Sequence, residues 1–308
     1  MNRSYPKSNF VRVNGIRLHY LDWGGSGPTL LFLTGMGCSA YIFNKFAPRF
    51  TDKFRVLAIT RRGHGDSDYP ETGYDADTLT EDIRQFMDAL NIEKAILAGH
   101  SLAGVELTHF AATYPTKVEK LIYLDALDDR RGLQAVSEQS PLRNVEIKKE
   151  ESNPHTFEEY IANFKRDNPS FVEIWSDLWE EEIFHNVKVN EAGVFVDKMP
   201  ETVEKMMREN LVKGYTPKKV DAKIPTLSFY AWKTPKLSDV YTQEQKAAFD
   251  QFERDIAKPF FRSLISEFQV RFPHAKIIVI PDGHHYCFIA QEDLVYEEMS
   301  RFLQIATD

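Results

Sequence analysis

The sequence predicts an α/β protein built around a mostly parallel sheet. Short, continuous apolar runs recur along the first 125 residues, as expected of strands that are buried on both faces. Segments with apolar residues at helical spacing separate these runs. Strands that alternate with helices are typical of a parallel sheet covered by helices.

The first two strands are expected to form a hairpin. Residues 10–13 and 16–20 flank Asn14-Gly15, a dipeptide that favours a tight hairpin turn. The apolar runs then predict the remaining strands. These strands are expected at residues 29–34, 55–60, 94–98, 120–125, 224–231 and 276–280.

One helix is expected between Thr80 and Leu90. Apolar residues recur there at helical spacing, and Glu81 and Asp82 would lie in its first turn, where the helix dipole favours negative charge. Further helices are expected at residues 104–112, from 243 to about 272, and from about 292 to 305.

The alternation of strands and helices stops after Asp125 and resumes near residue 224. Residues 127–220 are charged and rich in aromatic residues, with a spacing that suggests amphipathic helices. We therefore expect a core of residues 1–126 and 221–308, and a helical cap at 127–220. Most of the rings should pack within the cap, and some should line a pocket. The rings are Phe157, Tyr160, Phe164, Phe171, Trp175, Trp179 and Phe184.

The segment Gly99-His100-Ser101-Leu102-Ala103-Gly104 lies between a predicted strand and a predicted helix. A serine on a sharp strand-to-helix turn is the arrangement of a nucleophile elbow, in which only small residues can flank the serine. Gly99 meets this need. Ala103 stands where glycine is usual, but its methyl group is the smallest possible addition. Ser101 is therefore the candidate nucleophile.

Together with two further motifs, this order of elements resembles the α/β-hydrolase fold family. Residues 62–67 resemble its Arg-Gly-x-Gly-x-Ser loop, and residues 285–295 resemble its catalytic-histidine segment. The resemblance covers about residues 10–125 and 222–305. It implies an eight-stranded, mostly parallel sheet flanked by helices, with an inserted helical cap. It also implies a Ser–acid–His triad in that chain order and no cofactor.

Two adjacent histidines compete for the role of general base, which a neutral serine hydroxyl needs near pH 7. A Gly-His pattern would select His284. The spacing from the last helix favours His285, because Tyr286 then follows the base and the apolar pair Phe288-Ile289 packs the loop. We favour His285 and leave His284 open.

The acid of the triad is not at its usual place in the family. The family carries it just after the strand at 224–231, where this chain has Thr234. Some relatives, such as the haloalkane dehalogenases, carry it after the preceding core strand in a Tyr-x-acid-Ala frame, and Tyr123-Leu124-Asp125-Ala126 matches that frame. Asp125 is the favoured acid. The alternatives are Asp128, Asp129 and Asp239.

The oxyanion hole needs two backbone N–H groups that point at the developing negative oxygen. By position in the family, Leu102 and Met36 would supply them. Thr34 stands where the family more often has histidine. A backbone donor tolerates that change of side chain.

Three functions remain open at this point. The first is hydrolysis of a carboxylic ester or lactone through an acyl-enzyme, with a small ester-like substrate that has an apolar or aromatic part. The second uses the same triad on a C–C bond, as in a β-diketone, or for perhydrolysis. The third is a non-catalytic ligand receptor on the same fold. A serine at position 101 disfavours haloalkane dehalogenases and epoxide hydrolases, which use a carboxylate nucleophile.

Composition excludes other function classes. The 308 residues carry a net charge of −8 with scattered basic residues, so we expect neither a nucleic-acid nor a membrane partner. No run of about 18 apolar residues and no secretory leader is visible. Cys38 and Cys287 are far apart in sequence, which favours the cytoplasm, with Cys287 as a packing residue. No residue spacing indicates a metal site. No feature predicts an oligomeric state.

Overall fold

The computed structural model describes residues 5–145, 153–234, 237 and 240–305. Its centre is an eight-stranded sheet in the order β1-β2-β4-β3-β5-β6-β9-β10. Six strands, from β4 to β10 along this order, are parallel, and β1 and β2 pair antiparallel at one edge. This is the α/β-hydrolase architecture that the sequence predicts.

The described ranges contain ten strands and eleven α-helices with the following bounds. The strands are β1 Lys7–Val13, β2 Ile16–Gly24, β3 Thr29–Leu33, β4 Arg55–Ile59, β5 Ala95–His100, β6 Val118–Leu124, β7 Val187–Val189, β8 Phe195–Asp197, β9 Thr226–Trp232 and β10 Lys276–Pro281. The helices are α1 Ala76–Ala89, α2 Ala103–Thr113, α3 Leu133–Ser137, α4 Phe157–Asp167, α5 Pro169–Val172, α6 Asp177–Asn186, α7 Glu201–Met207, α8 Gln243–Phe252, α9 Lys258–Arg271, α10 Cys287–Ala290 and α11 Glu292–Leu303.

The hairpin between β1 and β2 turns at the expected dipeptide. Asn14 has φ 47° and Gly15 has φ 77°, so both central residues lie in the left-handed region. Two positive φ angles are what a two-residue hairpin with the native strand twist requires. Val13 and Ile16 therefore pair directly across the turn.

Helix α1 begins four residues earlier than the sequence pattern predicted. Asp75 caps it, accepting a hydrogen bond from the Thr78 N–H, so Asp77 lies in its first turn instead of Glu81 and Asp82. Asp82 is instead buried and paired with Arg62. The predicted helix from residue 243 is also divided. A π-helical stretch, Glu253–Ala257, joins α8 to α9, just before Pro259 removes a backbone donor.

Residues 127–220 contain five of the helices, α3 to α7, together with a two-stranded antiparallel sheet of β7 and β8 that the sequence pattern did not predict. Each of these strands has only three residues, which is too short for alternation to be visible. The segment leaves the core after β6 and rejoins it before β9. It therefore starts and ends at neighbouring strands of the sheet.

Apolar side chains fill both faces of the sheet. One cluster includes Phe32, Leu124 and Phe229, and the other includes Leu31, Tyr123 and Tyr230. No helix in the described ranges is long and apolar enough to cross a membrane.

Candidate active site

Ser101 lies at the carboxyl end of β5, immediately before α2. Its φ of 55° is left-handed, a strained conformation for a residue with a side chain. A Cβ on Gly99 would lie 2.9 Å from the Ala103 methyl group. Glycine at position 99 therefore leaves the space that Ala103 occupies, which explains how the turn accommodates alanine there.

Asp125 lies at the carboxyl end of β6, also with a left-handed φ of 47°. Its Oδ1 accepts a hydrogen bond from the Ala231 N–H at 2.8 Å, and its Oδ2 lies 2.6 Å from His285 Nδ1. A Cβ on Gly104 would lie 2.4 Å from the Leu127 carbonyl oxygen, so glycine there lets the chain after Asp125 pack against α2. The end of β9, where the family usually carries the acid, here orients the acid through a backbone N–H.

His285 joins the two side chains. Its Nε2 lies 2.9 Å from Ser101 Oγ, while Nδ1 faces Asp125. An ionised carboxylate only accepts hydrogen bonds, so Nδ1 carries the proton and Nε2 is free to accept the serine proton. The His285 side chain is 47% exposed, so water and a small molecule can reach it.

His284 points the other way, towards residues 127–220. Its Nδ1 accepts a hydrogen bond from the Tyr286 N–H at 3.1 Å, and its Nε2 lies 3.3 Å from the Ser170 carbonyl oxygen. Burial lowers its pKa. His284 therefore ties the loop to the segment that precedes α6 and does not contact Ser101.

The alternative acids are engaged elsewhere. Asp128 forms a two-point pair with Arg271, at 2.5 and 2.9 Å. Asp129 pairs with Arg131 at 2.6 Å. Asp239 lies outside the described residues. Of the described candidates, the structure brings only Asp125 against His285.

The backbone N–H groups of Met36 and Leu102 donate no hydrogen bond within the described ranges, although Leu102 is buried. Free N–H groups in a buried place are rare and are expected to have a purpose. A Cβ on Gly35 would lie 3.2 Å from Ser101 Cβ, so glycine lets this loop approach the serine closely. Leu102 directly follows Ser101 in the chain, and Met36 follows the glycine that approaches the serine, as expected of two oxyanion-hole donors.

Arg61 holds the loop before Met36, a role that the sequence motifs did not reveal. Its guanidinium donates to the carbonyl oxygens of Thr34 at 2.7 Å and Gly35 at 3.2 Å, and pairs with Glu106 of α2. Both charged side chains are buried. Because the carbonyl groups point at Arg61, the pair fixes the orientation of the loop. The position of Arg61 just beyond the carboxyl end of β4 is the signal that could have found it.

His100 packs against His285 and binds its backbone. Its Nε2 donates to the His285 carbonyl oxygen at 3.1 Å, and the two ring centroids are 4.6 Å apart. Burial, followed by the neighbouring His285, lowers the pKa of His100 well below its usual value. A neutral His100 therefore fixes the backbone of His285 without adding charge.

Residues 127–220 contact both sides of this site. Val203 and Met207 of α7 pack in one cluster with Leu102, and Met36 lies against it. Trp179 of α6 packs edge-on against Tyr286, with centroids 4.8 Å apart.

Glu182 of α6 is a third contact between this segment and the core. It accepts hydrogen bonds from Ser39 N–H at 2.6 Å and Ser39 Oγ at 2.5 Å. Burial raises the pKa of Glu182 to about 7. The aromatic residues singled out in the sequence pack largely against one another, as in the pair Phe164 and Trp175.

No group of three or more metal-ligating side chains is present in the described ranges. Cys38 and Cys287 are both buried free thiols, and burial raises the pKa of each. Cys287 is fully buried in the core, in keeping with a packing residue.

Comparison with known proteins finds similarity to members of one fold family. The family model described as the alpha/beta hydrolase fold matches residues 28–171. A 2-(acetamidomethylene)succinate hydrolase of Mesorhizobium japonicum is 40% identical over 101 residues, which are 33% of this chain and 36% of that protein. Epoxide hydrolase 1 of Caenorhabditis elegans is 36% identical over 118 residues, 37% of this chain and 29% of that protein.

The matched segments therefore span about a third of each relative's length. Among solved structures, an E-2-(acetamidomethylene)succinate hydrolase superposes with a TM-score of 0.72 at 21% identity, over 97% of this chain and all of the other. At that identity, the likeness shows the fold. The motifs, the sheet order and these matches together show that the chain has the α/β-hydrolase fold.

Proposed function

We propose that the protein is a cofactor-free serine hydrolase that cleaves a carboxylic ester or lactone through an acyl-enzyme. The observation that carries the proposal is one continuous chain of hydrogen bonds. It runs from Asp125 Oδ2 to His285 Nδ1 at 2.6 Å, and from His285 Nε2 to Ser101 Oγ at 2.9 Å. A nucleophile, a base in reach of it and a group that orients the base are what acyl transfer needs.

In the first half of the reaction, Ser101 Oγ attacks the carbonyl carbon and its proton moves to His285 Nε2. The carbonyl oxygen becomes negative and accepts hydrogen bonds from the N–H groups of Met36 and Leu102. The tetrahedral intermediate then collapses, the C–O bond to the alcohol breaks, and His285 returns the proton to the leaving oxygen. Asp125 stabilises the imidazolium that exists between these steps.

In the second half, water replaces the alcohol. His285 takes a proton from the water, and the hydroxide oxygen attacks the acyl carbon. The bond to Ser101 breaks, the acid leaves, and His285 returns the proton to Ser101 Oγ. The exposure of His285 supports this step, because water must reach its Nε2 from the solvent side.

Residues 127–220 are proposed to form a cap over Ser101. The contacts of α7 with Leu102 and Met36 support this position. Met199 and Met206 are partly buried beside the same cluster. Flexible, polarisable methionines suit a substrate with an apolar or aromatic part.

The similarity to epoxide hydrolases is not proposed to extend to their reaction. Epoxide opening in that group uses a carboxylate nucleophile, and a serine stands at position 101. C–C bond hydrolysis and perhydrolysis need the same serine and base as ester cleavage, so substrate tests must separate them.

The test is a substrate panel with wild type and Ser101→Ala side by side. It contains 4-nitrophenyl esters of increasing chain length, aliphatic lactones, and a β-diketone followed by its loss of absorbance. We expect a burst of 4-nitrophenol, equal to one acyl group per active site, that is absent in the variant. Equal turnover in wild type and variant would exclude the serine mechanism. No turnover and no acylation in wild type would favour the ligand receptor.

A further inference from the structure

Arg130 is a cation next to the site with no partner of its own. It lies five residues after Asp125, in the segment that leaves β6. Its Nε is buried, and its guanidinium has neither a hydrogen bond nor an ion pair in the part of the chain that the structure describes. The acids beside it are occupied, since Asp128 pairs with Arg271 and Asp129 with Arg131.

Arg130 is half-buried, and its buried Nε has no acceptor among the described residues. Taking a charged group partly out of water without a counter-ion is unfavourable. Burial lowers the pKa of Arg130 to about 10, so the side chain still carries its charge at pH 7. A fold that retains such a charge is expected to use it.

The charge lies close to the reacting groups. Asp125 and Arg208 are the charged groups that act on Arg130, and Arg130 in turn acts on His100. Among the described residues, Asp125 forms no hydrogen bond or ion pair with Arg130, and its carboxylate oxygens bind Ala231 and His285. Arg208 adds a second positive charge from the turn after α7, and it has its own partner, Glu204. Arg130 therefore lies within electrostatic range of Asp125 and of Arg208, which follows α7.

We propose that Arg130 binds a carboxylate of the substrate, so that the substrate class is an ester or lactone that also carries a free carboxylate. This rests on the proposed serine hydrolase function. The planar fork of a guanidinium matches a carboxylate in two parallel hydrogen bonds, and both gain strength away from water. A bound carboxylate supplies the charge that Arg130 lacks and places the ester relative to Ser101.

The test compares charged esters with neutral esters of matched shape. Mono-4-nitrophenyl adipate against 4-nitrophenyl hexanoate places the carboxylate in the acyl part. The pair 4-carboxyphenyl acetate and 4-carbamoylphenyl acetate places it in the alcohol part. The readout is the ratio of kcat/KM for the charged and the neutral ester, which cancels a general loss of active enzyme.

We expect wild type to favour the charged ester of at least one pair. Arg130→Gln should lower that ratio by about 10- to 100-fold, the range for a charged hydrogen-bonded pair. Arg130→Lys keeps the charge but not the fork and should lie between the two. Arg131→Gln is the matched control, since it removes a neighbouring, exposed charge and should leave the ratio unchanged.

A ratio that is the same in wild type and Arg130→Gln would overturn the proposal, as would equal loss in Arg131→Gln. If Arg130→Gln does not fold, Arg130→Lys takes its place. If wild type cleaves no ester, the serine hydrolase proposal fails, and thermal unfolding with adipate or hexanediamide tests Arg130 alone. Stabilisation by adipate only, lost in the Arg130 variant, would support carboxylate binding; no stabilisation of wild type would contradict it.

Discussion

The carboxyl edge of the sheet and the segment at residues 127–220 contribute to the site in different ways. At the sheet edge, Ser101, Asp125 and His285 satisfy one another, and backbone groups of β9 and the His285 loop complete the network. On the side of the segment, polar side chains bind core residues at separate places, such as Glu182 with Ser39 and His185 with Asp66.

This difference suggests that one region sets the rate of the reaction and the other sets the choice of substrate. A fully hydrogen-bonded network in a rigid sheet fixes the geometry that acyl transfer needs. A segment of short helices that binds the core through side chains away from Ser101 and Asp125 can change without disturbing that geometry. We therefore expect changes at the sheet edge to act on rate, and changes at the contacts with 127–220 to act on stability and substrate choice.

The two adjacent histidines should show the largest difference in kcat between the two regions. His285→Ala removes the base and should lower kcat by about 10⁴-fold or more, as triad deletions do. His284→Ala removes the hydrogen bonds with Ser170 and with the Tyr286 N–H and should change kcat by less than about tenfold, with a stability loss of about 1 kcal/mol or more.

Steady-state kinetics and urea unfolding of both variants measure the two effects. If His285→Ala kept its activity and His284→Ala lost it, His284 would be the base.

Asp125→Asn tests the sheet edge alone. The amide can no longer hold the proton on Nδ1 of His285, so the ring can present the wrong tautomer to Ser101, at a cost of up to ~10⁴ in kcat by analogy with serine proteases. The fold should survive, because the side chain keeps its shape and can still accept from Ala231.

Circular dichroism and kcat measured on the same sample check this prediction. Asp128→Asn is the control, since Asp128 pairs with Arg271 and should affect stability more than rate. A folded Asp125→Asn variant with normal kcat would show that Asp125 is merely structural.

Glu182 gives the smallest expected effect, and it concerns pH. Burial raises its pKa to about 7 from an ordinary value of 4.5. Between pH 4.5 and pH 7, Glu182 is therefore protonated in the folded state and ionised in the unfolded state. The stability that this proton provides is complete below pH 4.5 and is lost as the pH rises towards 7 and beyond.

Glu182→Gln should remove this dependence. Between pH 5 and pH 8, wild type should lose stability relative to the variant, by an amount on the order of 2–3 kcal/mol. Thermal unfolding at several pH values gives the difference, and subtraction of the two proteins cancels the other titrating groups. A difference that stays constant with pH would show that Glu182 does not titrate in this range.

The sequence alone predicts the features that depend on neighbouring residues or on the order of the elements. Ser101 was predictable because a serine between a buried strand and a helix needs small neighbours. His285 was predictable from its spacing to α11, and Asp125 because parallel strands end at one edge of the sheet. Each of these inferences uses residues that are close in the chain or elements of fixed order.

What the sequence did not reveal depends on distant pairing. The pair of Arg61 and Glu106 joins residues 45 positions apart. The sequence does not show that Arg130 lacks a hydrogen-bond partner, because this depends on Asp128 and Asp129 pairing with other arginines. Strands β7 and β8 have three residues each, which is too short to show alternating apolar and polar residues. These features follow from packing, which local composition does not encode.

The most direct test of the central claim is to identify the acylated residue. Wild type is mixed with a 4-nitrophenyl ester, quenched in acid during the burst, digested and analysed by mass spectrometry. We expect the peptide containing Ser101 to gain the mass of one acyl group, and Ser101→Ala to gain none. Acylation of another residue, or the same acylation in Ser101→Ala, would contradict the claim.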